Sequence, residues 1–218
     1  MTTLISWLLR LLIVLCGIAT ILRYTLLTPW TIPDDARLNA SIAPTLSAGD
    51  LLLVLTRGTP HFGDLVRCRD PDDASKYVVG RIAGEAGDVV QVERDALVVN
   101  GRKYTGETPC PNRRLSITHP SSGEKIELAC DIVKMAGGWY YRGFRPNVSN
   151  DSELLAEKKE PAEIRSGHIY LVSDNRFLHD DSRDFGPMKA SDCMDRIVVR
   201  LWSRVGWDDE AHRLDPIH

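Results

Sequence analysis

No single sign of charge dominates this 218-residue chain: 27 lysines and arginines stand against 30 aspartates and glutamates, for a net charge of −3. With its basic residues scattered along the chain, the protein is a poor candidate for a nucleic-acid binder, which is usually clearly basic. Five cysteines and six histidines fall in no zinc-site spacing, so no metal and no other cofactor is expected. No internal repeat and no long low-complexity tract is present, which excludes repeat architectures and extended linkers. The longest uncharged apolar run, 11–22, is twelve residues, against about twenty for a helix that crosses a bilayer core. What is present points to a β-rich body. The chain is 43% hydrophobic, enough for a real core, and its 16 glycines and 12 prolines punctuate short apolar runs.

The N-terminus differs in character from that body. Residues 4–27 are apolar apart from Arg10, Arg23 and a few small polar side chains. Two arginines placed to snorkel toward opposite interfaces, and Trp7, Tyr24 and Trp30 near the ends of the run, predict a single-pass transmembrane helix over 1–30 in contact with membrane lipid. The competing readings are a cleaved signal peptide and a buried core helix; no small-x-small cleavage site follows the run. Arg10 before the run and Asp34 and Asp35 after it suggest a body on the extracytoplasmic face.

Strand-like runs fill most of the rest: 50–56, 63–70, 76–83, 88–94, 96–104, 137–144, 168–174 and 195–203. Asn100-Gly101 within "VVNGRKY" supplies the positive φ angles of a tight hairpin turn. The expected architecture is mainly β: a core from 31–104 and 167–203, a small inserted lobe over 105–166 with a polar excursion at 145–166, and a loosely held polar tail at 204–218. Cys110 and Cys130 bracket a polar insert and either staple a hairpin in an oxidising compartment or stay free. Cys68 and Cys193 read as buried small hydrophobes. Trp139, Tyr140 and Tyr141 read as core aromatics, with a membrane-dipping patch as the alternative.

Four motifs in order behind the apolar segment carry a family resemblance. "SIAPTL" at 41–46 is similar to the Ser-Met-x-Pro-Thr-Leu motif of type I signal peptidases, the membrane-anchored serine proteases that remove signal peptides from exported proteins. "GDLV" at 63–66 is similar to their Gly-Asp-Ile-Val strand. "GRIAGEAGDVV" at 80–90 resembles their Lys-Arg-Val-x-Gly-x-Pro-Gly-Asp segment. "VSDNRFLHDDSRDFGPM" at 172–188 resembles their Gly-Asp-Asn-Arg-x-x-Ser-x-Asp-Ser-Arg-x-x-Gly segment. The resemblance implies a largely antiparallel β fold, signal-peptide-bearing substrates and Ser41 as nucleophile. It also implies that Asp174, Asn175, Arg176 and Arg183 support the last catalytic loop, with Arg183 bracing Asp181.

The departures fall on the chemistry. The family's lysine base falls on Gly80, and the serine that positions it falls on His179. A serine hydroxyl is a poor nucleophile until a base takes its proton, and glycine has none to offer. Three readings follow. His179 moves into the space left beside Ser41 and, oriented by Asp181 or Asp180, rebuilds a Ser–His–Asp arrangement; imidazole, titrating near ~6.5, suits that role. Alternatively the chain is a catalytically inactive homologue that binds exported or pilus-type proteins. Or Lys76 substitutes, although four strand residues span roughly 13 Å. Asn39, two residues before Ser41, offers a side-chain amide to a developing oxyanion. Ile32, Val78 and Val79 would line the shallow pockets for small substrate side chains, and extended substrate would add as a strand.

Overall fold

The computed structural model describes residues 2–93, 96–145 and 160–218. Its first element, α1 (Thr2–Thr25), runs the length of the apolar segment. Ile5, Trp7, Leu8, Leu9, Leu11 to Leu15 and Ile18 are each between 48% and 71% exposed on it. Among the described residues, however, no helix is long and apolar enough to cross a membrane, so the fold does not support the single-pass span expected over 1–30. The segment assigned to that span also includes a strand. β1 (Leu27–Thr31) pairs with β2 (Leu51–Leu55), and Trp30 packs edge-on to Tyr77 at 5.9 Å and under the Arg67 guanidinium at 4.8 Å.

The body is antiparallel β throughout its strand ladders. β3 (Leu65–Arg69), β4 (Tyr77–Gly84), β12 (His168–Val172), β13 (Met188–Lys189) and β14 (Asp195–Trp202) join β1 and β2 in an eight-stranded sheet ordered β1-β2-β14-β3-β4-β12-β13, with β15 (Asp215–Pro216) added on β14. β5 (Val89–Glu93), β6 (Ala96–Val99), β7 (Arg102–Tyr104) and β11 (Ala162–Glu163) make a four-stranded sheet, and β8 (Gly106–Thr118), β9 (Lys125–Met135) and β10 (Gly138–Phe144) a three-stranded one. The turn between β6 and β7 holds Asn100 at φ 51° and Gly101 at φ 79°, the pair of positive angles a two-residue hairpin needs. Residues 146–159 of the expected polar excursion lie outside the described residues.

β4 lies inside the main sheet, between β3 and β12, and shows why the sequence reads as a strand without alternation. Seven of its eight residues are buried. Successive strand side chains point to opposite faces, so both faces must be covered. Val79 packs with Leu38, Ile42, Leu52, Val54 and Ile197, while Val78 and Ile82 pack with Val66, Cys68, Leu171 and Cys193. Each fully buried Val or Leu stabilises such a core by about 1.5–3 kcal/mol.

Two disulfides cross-link the body. Cys110–Cys130 ties β8 to β9. Cys68–Cys193 joins β3 to the segment before β14, which corrects the reading of these two as unbonded apolar side chains. They lie 125 residues apart, and only the antiparallel pairing of β14 with β3 brings them together. The tail also departs from expectation: β15 is paired, and Ile217 packs onto the core beneath Ile32 and Leu52.

Candidate active site

Ser41 sits in the last turn of a short helix, α2 (Ala36–Ile42). Asp35 starts the helix by accepting hydrogen bonds from the Arg37 and Leu38 amides at 2.9 and 3.0 Å, the N-cap arrangement. Pro44 stops it, because the residue before a proline is pushed to extended geometry, and Ala43 adopts ψ 143°. Leu38 and Ile42 anchor the helix in the core. Ser41 shares that inner side: it is 1% exposed, and its Oγ donates to the Leu38 carbonyl at 2.9 Å.

A loop after β12 grips α2 from behind. The Asn175 amide donates to the Ser41 carbonyl at 3.0 Å, and its side chain donates to the Ala40 carbonyl at 2.7 Å. Asp174 takes the buried Arg81 guanidinium at 2.8 Å and the Thr45 hydroxyl at 2.5 Å, so β4 and the turn after Ser41 are locked to one carboxylate. Arg176 donates to the Tyr140 hydroxyl at 2.8 Å. Farther along, Asp181 caps α3 (Ser182–Phe185) and holds Arg183 at 2.8 Å. Burial alone would raise the Asp181 carboxyl; the Arg183 charge and hydrogen bond, with His179 and the Ser173 amide, together outweigh it and hold that carboxyl well below the usual range.

His179 is held by a different acid from the one expected. Its Nδ1 lies 2.8 Å from Asp184 Oδ2, five residues on, whereas Asp181 is committed to Arg183 and the Ser173 amide. Asp180, the other expected partner, pairs with Arg37 of α2 at 2.7 Å. Desolvation, with Asp70, Asp184 and Asp181 nearby, pushes Asp180 up to about 6 in spite of that arginine. The side chains of His179, Asp181 and Asp184 each bring one ligand atom within 4.8 Å of the others, but the guanidinium on Asp181 makes this a hydrogen-bonded ion cluster and a poor seat for a cation.

His179 and Ala40 help to line one cavity of about 510 Å³, closed on its far side by His119, Pro120 and Ser121 at the tip of the β8–β9 hairpin. Ser41 is not among its lining residues. Adjacent helix residues point about 100° apart, so Ala40 at the cavity wall and Ser41 toward the core face different ways. The space expected at Gly80 is absent. A Cβ there would lie 3.3 Å from the Val172 carbonyl and 3.4 Å from Leu171 Cβ, so the main chain of β12 has closed over the position. Lys76 points to solvent, 3.9 Å from Asp73. Asn39 Nδ2 makes one long contact with Asp34 at 3.4 Å, and its Oδ1 is buried without a partner. Ile32, Val78 and Val79, the expected pocket residues, are 1–2% exposed and pack in the interior.

A family described as signal peptidase, peptidase S26, matches residues 4–202. The chain belongs to the signal peptidase family. Signal peptidase I of Streptococcus pneumoniae serotype 4 is 27% identical over 180 residues, covering 76% of this chain and 81% of that protein. Signal peptidase I of Pseudomonas fluorescens is 27% identical over 201 residues, with 76% and 58% covered. Signal peptidase IB of Staphylococcus aureus strain Mu50 is 25% identical over 197 residues, with 88% and 84% covered. Within a signal peptidase framework, the residues that sequence reasoning missed are Asp184, Thr45 and the Arg37–Asp180 pair. Asp184 follows His179 at a spacing no periodicity marks; only the α3 turn brings it back.

Proposed function

We propose that the protein is a membrane-associated serine endopeptidase that removes signal or leader peptides from exported proteins. Ser41 is its nucleophile and the His179–Asp184 pair its base. The observation that carries this reading is the His179–Asp184 contact of 2.8 Å at the wall shared with Ala40. A carboxylate on Nδ1 fixes the ring's tautomer and stabilises its charged form, as in serine-protease triads. Catalytic hydrogen bonds are often unmade before substrate binds, and a rotation of the last turn of α2 is the step that would make this one. Asn39 then offers its amide to the oxyanion. The Asp181–Arg183 and Asp174–Arg81 pairs hold the frame.

Two disulfides fit a body in an oxidising, extracytoplasmic compartment. The exposed apolar side chains of α1 fit a seat in lipid, since a patch of that size on a soluble surface marks an interaction site. Substrates are signal-peptide-bearing proteins; no nucleic acid and no cofactor enters the reaction.

A second reading, a noncatalytic homologue that binds exported or pilus-type proteins, is favoured by the closure of β12 over Gly80. Cleavage of a labelled signal peptide in detergent, across pH, separates the two. Loss of cleavage in both Ser41→Ala and His179→Ala, with an acid limb where imidazoles titrate, supports the protease. Cleavage untouched by His179→Ala sinks the assigned base and makes Lys76 the next candidate. Binding without cleavage selects the homologue.

A further inference from the structure

One edge of β14 is shared. β2 covers the other edge over Arg196 to Trp202, whereas β3 pairs only with Asp195 and Arg196. Beyond Arg196 the β3-side edge would be an open row of backbone donors and acceptors, the kind of edge to which an extended segment adds. Here the chain's own tail fills it. The Leu214 amide donates to the Leu201 carbonyl and the Ile217 amide to the Val198 carbonyl, each at 3.0 Å. Val199 and Arg200 pair with Pro216 and Asp215, and Arg200 holds the Asp215 carboxylate at 2.5 Å.

The tail, from Asp215 to His218, then forms one wall of a groove of about 560 Å³ whose other walls include Pro44, Thr45, Arg81, Leu115, Trp139 and Tyr141. The His218 ring lies 5.5 Å from that of Trp139, and the His218 carbonyl accepts a hydrogen bond from Arg81. The groove therefore opens two residues past Ser41, and the residue that meets the tail, Arg81, is the neighbour of Gly80 and the partner of Asp174.

We propose that the β14 edge and this groove form a docking slot for an extended segment of the substrate polypeptide, and that residues 214–218 are the intramolecular occupant of its edge and cover one side of its groove. The slot supplies strand hydrogen bonds, an arginine for a main-chain carbonyl and an aromatic wall for the side chain that follows an aliphatic one. Substrate enters as a strand antiparallel to β14 and displaces the tail. This rests on the endopeptidase reading for the identity of the partner, but not for the slot itself.

The test uses the full chain carrying Ser41→Ala, so that binding is read without cleavage, beside the same chain ending at Arg213. Fluorescence anisotropy follows a labelled synthetic signal peptide spanning its cleavage site. A tethered strand competes at high effective concentration, so its removal should tighten binding roughly tenfold. The free octapeptide corresponding to residues 211–218 should bind the shortened chain and compete with the signal peptide. A shortened chain with unchanged near-ultraviolet circular dichroism that binds no tighter, or an octapeptide that does not compete, overturns the proposal. Should the shortened chain not fold, Asp215→Ala in the full-length chain removes the tail's own ion pair with Arg200 without altering the slot, and should tighten binding roughly twofold to threefold; unchanged affinity overturns it. If the octapeptide binds and the signal peptide binds neither chain, the endopeptidase reading fails and takes this partner with it.

Discussion

The two flanks of the serine-bearing helix are built in opposite ways. On the loop side, Asp174, Asn175, Arg176, Asp181 and Arg183 are all buried and all engaged. On the strand side, Gly80, where the resemblance would put the family's base, is packed directly against the neighbouring strand. The difference is one of structural duty. A buried charge that locks β4 to a loop cannot be removed without stranding its partner. A buried neutral amine holds nothing together; it costs desolvation and its loss relaxes the fold.

The largest effect should come from breaking the intact side. Asp181→Ala leaves Arg183 buried without its carboxylate and should cost about 3–5 kcal/mol in urea unfolding. A loss under about 1 kcal/mol would mean the loop is not what holds α2. Next, Cys68→Ala with Cys193→Ala should cost about 2–4 kcal/mol and exceed the Cys110/Cys130 double change, because the longer loop constrains the unfolded chain more; calorimetry under non-reducing conditions decides.

The emptied side can be refilled. Gly80→Lys inserts a side chain against Val172 and Leu171 and should destabilise by about 1–3 kcal/mol through overpacking, without adding cleavage beyond that of the unaltered protein. A lysine variant that cuts faster would show that the strand still accommodates the family's base.

The smallest change concerns Asp180. Its folded-state value near 6 lies above the unfolded value of 3.8, so the folded state favours the protonated form. The group's favourable contribution is complete below pH 4 and is lost as pH rises through about 6. Asp180→Asn should therefore stabilise the protein by about 1 kcal/mol at pH 7.5 and by nothing at pH 4. Equal effects at both pH values would show that Asp180 is not ionised against its surroundings.

Much of the fold was legible because local rules and tertiary demands agreed. The strands at 50–56, 63–70, 76–83 and 168–174 are apolar runs bounded by turn residues, and Asn100-Gly101 dictated its own hairpin. The site was less so. Ser41 could be placed by its motif, but not its orientation, since which side of α2 faces the core depends on Leu38 and Ile42 meeting β2 and β14. Asp181 looked like the orienting acid because it is near in sequence, and Arg183 had already claimed it.

By itself the sequence determined a β-rich, nearly neutral body behind an apolar helix, the family motifs in order, and the absence of a lysine at position 80; these follow from residue identity and spacing, which no packing can alter. The tertiary structure decided the rest. Register across β3 and β14 made the Cys68–Cys193 bond, a capped turn handed His179 to Asp184, β12 packs against Gly80, and an edge that β3 leaves unpaired took up the tail. Each joins residues far apart or out of period, and such meetings are set by the whole sheet's hydrogen bonding and burial, not by any one segment's preference.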